Sequence, residues 1–205
     1  MLVDKPDSTQ TFYYIGNLGI AANNPDRVYI DVVNTLFGGR FTSMLNSELR
    51  VNSGLTYGAQ SWFSRRKTKG PFRISSFTRN ETTEKAIDLT LDILKRFHEN
   101  GITDEQLESA KNYIKGQFPT DIETTDQLAA TIAELEFHGL DATEINDMYA
   151  KIDRMTVADA RSVIRQYFPM ENLVLVLIGK ASDIGDVVKK YAPRVDQKSI
   201  TDSGF

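Results

Sequence analysis

The sequence predicts an α+β fold, a two-layer lobe with a mainly antiparallel, mixed sheet and helices packed on one face. Three observations carry this. Thr11 to Ile20 (TFYYIGNLGI) is rich in aromatic and β-branched residues, which favour a strand. Leu55 to Phe63 and Phe72 to Thr78 flank a basic tip and read as a hairpin. Between that hairpin and a late apolar run, Asn172 to Gly179, lies a long block of apolar residues at helical spacing.

The N-terminal stretch Met1 to Gln10 lacks the apolar core of a signal peptide. Met1 sits just before the approach to the first strand, which leaves room for the natural chain to begin further upstream. After that strand, Asn23-Asn24-Pro25-Asp26 gives a turn and a helix start, with proline near the first helical position. Val28, Val32, Val33 and Leu36 then repeat at helical spacing until Gly38-Gly39 interrupts them. Phe41, Met44, Leu45 and Leu49 continue the pattern in a second helix that ends at Arg50-Val51. Asn52-Ser53-Gly54 supplies the turn into the first hairpin strand. In that strand Leu55, Tyr57, Ala59, Ser61 and Phe63 share one side, while Thr56, Gly58, Gln60 and Trp62 share the other. The tip, Arg65-Arg66-Lys67-Thr68-Lys69, reads as a solvated turn.

Ala86, Ile87, Thr90, Ile93, Leu94 and Phe97 form the stripe of a helix closed by Asn100-Gly101. Thr103-Asp104-Glu105-Gln106 is a capping box for the next helix, whose inner face carries Leu107, Ala110 and Ile114 and which Pro119 breaks or kinks. Helical character resumes from Asp121 to His138 with Leu128, Ile132 and Leu135. Asp141 and Thr156 cap two further short helices. Asn172 to Gly179 is nearly continuously apolar, as in a strand buried on both faces. Ser182 to Tyr191 forms a last helix, and the polar tail is expected to fray from about residue 194. No repeat or linker divides the chain, so residues 1–205 are expected to form one domain.

The chain has 24 basic and 28 acidic residues, a formal net charge of -4 and both signs interspersed, which argues against a nucleic-acid partner. No run is long and apolar enough for membrane insertion, so a soluble domain is expected, with the cellular compartment open. Cysteine is absent, which excludes disulfides, thiolate nucleophiles and cysteine-based metal sites. The two histidines, His98 and His138, lie far apart at the C-terminal ends of separate helices, where a cation complements the helix dipole. A surface role suits them better than metal binding. Carboxylates gather at helix starts and on polar faces, so no pair is assigned an acid/base role.

Arg50 and Tyr57 are the candidate catalytic residues. Attack on a peptide carbonyl places negative charge on its oxygen, and a phenol O–H aimed there stabilises the transition state more than the ground state. A guanidinium can hold a neighbouring substrate carbonyl. The turn Asn52-Ser53-Gly54 can bring both heads to one edge of the sheet. Spacing alone favours a bland arrangement, Arg50 capping helix carbonyls and Tyr57 as a core-edge aromatic, because an R-x6-Y pair is common by chance.

The surrounding run L36-F37-G38-G39-R40-F41-T42-S43-M44-L45-N46-S47-E48-L49-R50-V51-N52-S53-G54-L55-T56-Y57-G58 resembles the pattern LGG-x-F-x-S-x-L…LR…GLTYG. That pattern belongs to the second, non-zinc-binding lobe of the insulinase/pitrilysin-like zinc metallopeptidases. The resemblance extends to V3-D4-K5-P6 with Gln10, to G101-I102-T103 with Leu107, Ala110 and Lys111, and to the last strand V174 to G179. It implies half of a clamshell enclosing a peptide or unfolded polypeptide, with Arg50 and Tyr57 at the positions of the family's Arg/Tyr pair. The family's H-x-x-E-H motif is missing from this chain. The resemblance therefore implies no cofactor here, with zinc carried by a partner lobe or subunit, and a chain inactive by itself. An alternative it leaves open is a non-catalytic scaffold or assembly subunit, since some relatives have lost peptidase activity.

Overall fold

Alternation along the strands decides which side of the sheet is covered. The computed structural model describes residues 1–204. Strands β1 (Leu2–Asp4), β2 (Gln10–Leu18), β3 (Ala59–Phe63), β4 (Pro71–Arg79), β5 (Val174–Gly179) and β6 (Gln197–Ser199) make one sheet in the order β3-β4-β2-β5-β1-β6. Pairing is antiparallel through β3, β4, β2 and β5, and parallel where β1 joins β5 and β6. Tyr13 and Ile15 of β2, and Phe72 and Ile74 of β4, point inward and are fully buried. Their neighbours Phe12 and Tyr14 face the other way and are exposed. Helices thus cover one face, giving the mixed α+β lobe expected.

The helices are α1 (Arg27–Asn34), the short α2 (Met44–Asn46), α3 (Thr83–Asn100), α4 (Asp104–Asp121), α5 (Thr125–Phe137), α6 (Thr143–Asn146), α7 (Met148–Arg154), α8 (Val157–Tyr167) and α9 (Ala181–Val188). The capping boxes at Thr103 and Thr156 form as the sequence dictates, and a third forms at Thr124. Gly101 closes α3 with φ +65°, a left-handed position that favours glycine. At the centre of the core, the ring of Phe37 lies 4.9 Å from Phe97 and 5.5 Å from Phe168, while Phe72 lies 5.2 Å from Phe168.

Four expectations change. The segment Leu55–Gly58 is not strand: the first hairpin strand begins only at Ala59. The Leu55 amide still donates to Leu49 O at 2.9 Å, and the Thr56 hydroxyl bonds both the amide and carbonyl of Gly58, so local bonds outcompete the ladder. Strand β5 is buried on one face only, through Leu175, Leu177 and Gly179, because among the described residues no helix covers the opposite side of the sheet. The tail beyond Pro193 does not fray at once. It contributes β6, whose register sets Lys198 beside Val3, and the Leu2 amide donates to Asp196 O at 2.8 Å. Finally, α5 carries Leu128 and Ile132 exposed and has no buried residue, so its apolar stripe lies outside the core.

Gly38 sits so close to β3 that an added Cβ would collide with Ser61 Oγ and lie 2.5 Å from its backbone nitrogen. Gly116, inside α4, has open space around it. Gly38→Ala is therefore expected to cost about 1–3 kcal/mol by overpacking, whereas Gly116→Ala should be neutral or add up to about 1 kcal/mol. Urea denaturation of both variants checks this, and equal effects would contradict the close approach.

Candidate functional site

Two helical segments that end in π turns meet the loop before β3, and the cleft between them holds the candidate residues. Helix α1 runs on into a π-helical turn, Thr35–Gly39, after which Arg40 is extended. Helix α2, capped by the Ser43 hydroxyl, continues as a second π-helical turn, Ser47–Asn52, which carries Arg50. Wide π turns often mark functional sites because they shift side chains out of α register. The sequence shows only ordinary helix ends there, at Gly38-Gly39 and at Arg50-Val51.

The second turn closes tightly. The Ser53 hydroxyl donates to Glu48 O at 2.7 Å, and the Gly54 amide donates to Arg50 O at 3.2 Å. Gly54 has φ +62°, so the chain reverses there at little steric cost. The following loop is pinned to β4: Thr78 Oγ1 donates to Leu55 O at 2.7 Å and Ser76 Oγ donates to Gly58 O at 2.9 Å. Because the loop leaves the ladder, the side-to-side alternation breaks at Tyr57. Leu55 and Ala59 stay buried while Tyr57 turns outward, 81% exposed.

Arg50 and Tyr57 line one cleft of about 460 Å³, with Arg40, Phe41, Asn46, Gln60, Phe77 and Tyr113 around them. They also border a second hollow of about 440 Å³ beside Leu55, Thr78 and Arg79, so the pair forms a ridge shared by both. The structure brings together the two residues singled out from the sequence. The guanidinium of Arg50 lies over the ring of Phe41, 4.7 Å from its centroid. Such stacking orients an arginine while leaving its N–H groups free for an acceptor. Among the described residues Arg50 has neither a carboxylate partner nor a helix carbonyl to cap, and Tyr57 is no core-edge aromatic. The bland arrangement fails on both counts.

The edge of β3 is closed from the same side. Ser64 N donates to Pro71 O, which by antiparallel parity leaves the polar groups of Ala59 and Ser61 pointing away from β4. The Ala59 amide is taken by Asn46 Oδ1 at 3.3 Å and the Ser61 carbonyl by Asn34 Nδ2 at 2.9 Å. Two of that edge's outward groups are therefore already taken before an extended chain arrives.

Among the described residues no three of His, Cys, Asp or Glu converge, and no helix is long and apolar enough to cross a membrane. His98 is half-buried rather than a free surface residue: its Nε2 sits 2.5 Å from the Phe168 carbonyl, tying α3 to the end of α8. His138 lies elsewhere, edge-on to Phe137 at 5.0 Å.

Fold and site together describe an α+β lobe with one covered sheet face and a cleft lined by Arg50 and Tyr57 at the other. The chain belongs to the family described as the peptidase M16 inactive domain, whose model matches residues 1–114. It is similar to an uncharacterized zinc protease of Streptomyces coelicolor, 28% identical over 91% of this chain and 39% of that protein. It is also 27% identical to a non-peptidase homolog of Helicobacter pylori, over 84% of this chain and 40% of that one. Among solved structures, a peptidase M16 inactive domain from Pseudomonas fluorescens superposes with a TM-score of 0.81 at 26% identity, over 96% of this chain and 44% of that chain. The chain spans about two fifths of the length of these curated relatives.

If the pins to β4 hold the Tyr57 loop, Thr78→Val should cost about 1–3 kcal/mol by leaving the Leu55 carbonyl unpaired. It should also speed amide exchange at Leu55 and Gly58 more than in the core helices. Uniform exchange across the lobe would contradict local pinning.

Proposed function

We propose that this lobe is the non-zinc half of a peptide-cleaving assembly, in which Arg50 and Tyr57 bind substrate and stabilise the oxyanion. The observation that carries it is the outward turn of Tyr57 into the cleft that Arg50 lines, against the burial its alternation would otherwise give. A phenol exposed on a pinned loop presents its O–H to an incoming acceptor at little reorganisation cost. The guanidinium beside it, steadied on Phe41, can grip a second substrate carbonyl. Neither group can generate a nucleophile, so the attacking water and the residues that activate it belong to a zinc-carrying lobe of the same family. The M16 inactive-domain family and the relatives named as zinc proteases support that pairing. The occupied edge of β3 further suggests that main-chain pairing with the peptide is supplied by the partner.

A second reading, a scaffold subunit without catalytic partnership, is favoured by the relative named a non-peptidase homolog. The two separate on one experiment. Purified chain alone should cleave no peptide, and mixing it with its H-x-x-E-H partner should give cleavage. In that mixture Tyr57→Phe should lower kcat by about 10- to 1000-fold, the range for loss of one oxyanion donor. An unchanged rate would remove Tyr57 from the mechanism and leave the scaffold reading.

A further inference from the structure

The chain as a whole is acidic, yet the walls of the cleft and the open sheet face beside it contain no carboxylate. Arg40 and Arg50 line the first hollow, Arg50 and Arg79 the second, and no Asp or Glu lines either. Residues 71, 73, 75, 77 and 79 of β4 share the uncovered side of the sheet, so the face runs from Phe77 at the cleft to Arg73 and Pro71. There it ends in an apolar hollow of about 300 Å³ that includes Arg73, Tyr14, Leu18 and Val174, again without an acidic residue. Phe77 to Pro71 spans about 20 Å at ~3.3 Å per residue, the reach of roughly six residues of extended polypeptide.

Three of these arginines are held by rings in place of carboxylates. Arg50 lies over Phe41 at 4.7 Å, Arg73 over Trp62 at 4.6 Å and Arg40 over Tyr113 at 5.8 Å. Among the described residues Arg40 and Arg73 otherwise bond only serines, Ser109 and Ser64. Arg79 alone has an acidic partner, Glu81 at 3.3 Å. Aromatic rings Phe12, Phe77 and Tyr14 fill the strip between, with Phe12 and Phe77 stacked at 5.3 Å. A surface of aromatic rings and uncompensated guanidinium groups complements a chain of apolar and carboxylate side chains.

We propose that this face selects an extended, acidic polypeptide segment bearing aromatic side chains, with Arg40 and Arg73 as specificity-determining residues beside the Arg50/Tyr57 ridge. The proposal rests on the reading of the lobe as half of a peptide site, and it adds a charge preference that reading does not contain. Because the ligand charges meet partly exposed guanidinium groups, binding weakens as salt rises.

Trp62 is the sole tryptophan and sits on this face, edge-on to Tyr14 at 6.5 Å, so its emission reports occupancy. The test titrates the full chain, at low and at 0.5 M salt, with three labelled eight-residue peptides that each carry two Phe and differ only in having Glu, Gln or Lys at the remaining charged positions. Trp62 emission and peptide anisotropy are read together. The expected result is affinity at least about 10-fold higher for the Glu than the Lys peptide at low salt, shrinking at 0.5 M. Arg73→Gln and Arg40→Gln should each weaken the Glu peptide several-fold more than the Gln peptide. Equal affinities, a preference for Lys, or no binding of any peptide up to about 1 mM would overturn the proposal. So would a Trp62 response seen only on adding the zinc-carrying lobe, which would make the face an interface between lobes. None of these outcomes touches the Tyr57→Phe rate test, so the two ideas fail separately.

Discussion

The arrangement depends on how the outer edge of β3 is closed. An edge strand left open invites pairing with any extended chain. Here two asparagine side chains, Asn34 from the end of α1 and Asn46 from α2, take two of its outward groups, the Ser61 carbonyl and the Ala59 amide. The same contacts pull both helical segments against the strand, close enough that only glycine fits at position 38. With the segments held there, the π turn carrying Arg50 and the loop carrying Tyr57 must share a wall. Edge protection and site construction are therefore one set of bonds.

The covered face supports this from beneath. Phe37 belongs to the first π turn and packs into the aromatic cluster with Phe97 and Phe168, so the turn is anchored in the core a residue away from the cleft glycines. Further out, Arg27 pairs with Glu144, which Lys151 also contacts at 3.0 Å, fastening α1 to α6 and α7. Burial lowers the pKa of both Arg27 and Lys151 below their ordinary values, as expected for cations drawn partly out of water around one carboxylate. On the open face and in the cleft beside it, Arg40, Arg50 and Arg73 rest on rings instead, and only Arg79 pairs with a carboxylate, Glu81.

Much of the fold was legible because local chemistry and burial agreed. Thr103 and Thr156 cap helices through bonds with residues three positions on, and the alternation in β2 and β4 matches a sheet with one covered face. Legibility failed where tertiary contacts competed with pattern. Leu55 to Gly58 alternates like a strand, but the Thr56 hydroxyl and the Thr78 pin hold it off the ladder. The apolar run at β5 looked doubly buried, since composition alone does not reveal an uncovered face. The tail looked too polar to order, and only the exposed edge of β1 explains why it pairs. For the site, the GLTYG context pointed to Arg50 and Tyr57, while the π turns and the arginine–ring pairs required the structure. Arg40 and Arg73 are separated from their rings by 73 and 11 positions in sequence, beyond any local pattern.

The central claim is that Arg50 and Tyr57 act on one substrate from a shared wall. A double-mutant cycle in the reconstituted peptide-cleaving assembly measures this most directly, comparing kcat/KM for Arg50→Gln, Tyr57→Phe and the pair. Groups that act as a unit give non-additive losses. The account predicts a double variant that loses at least about 10-fold less than the product of the single losses, a coupling of ~1.4 kcal/mol or more. Strictly multiplicative losses would show two residues acting independently and would contradict it.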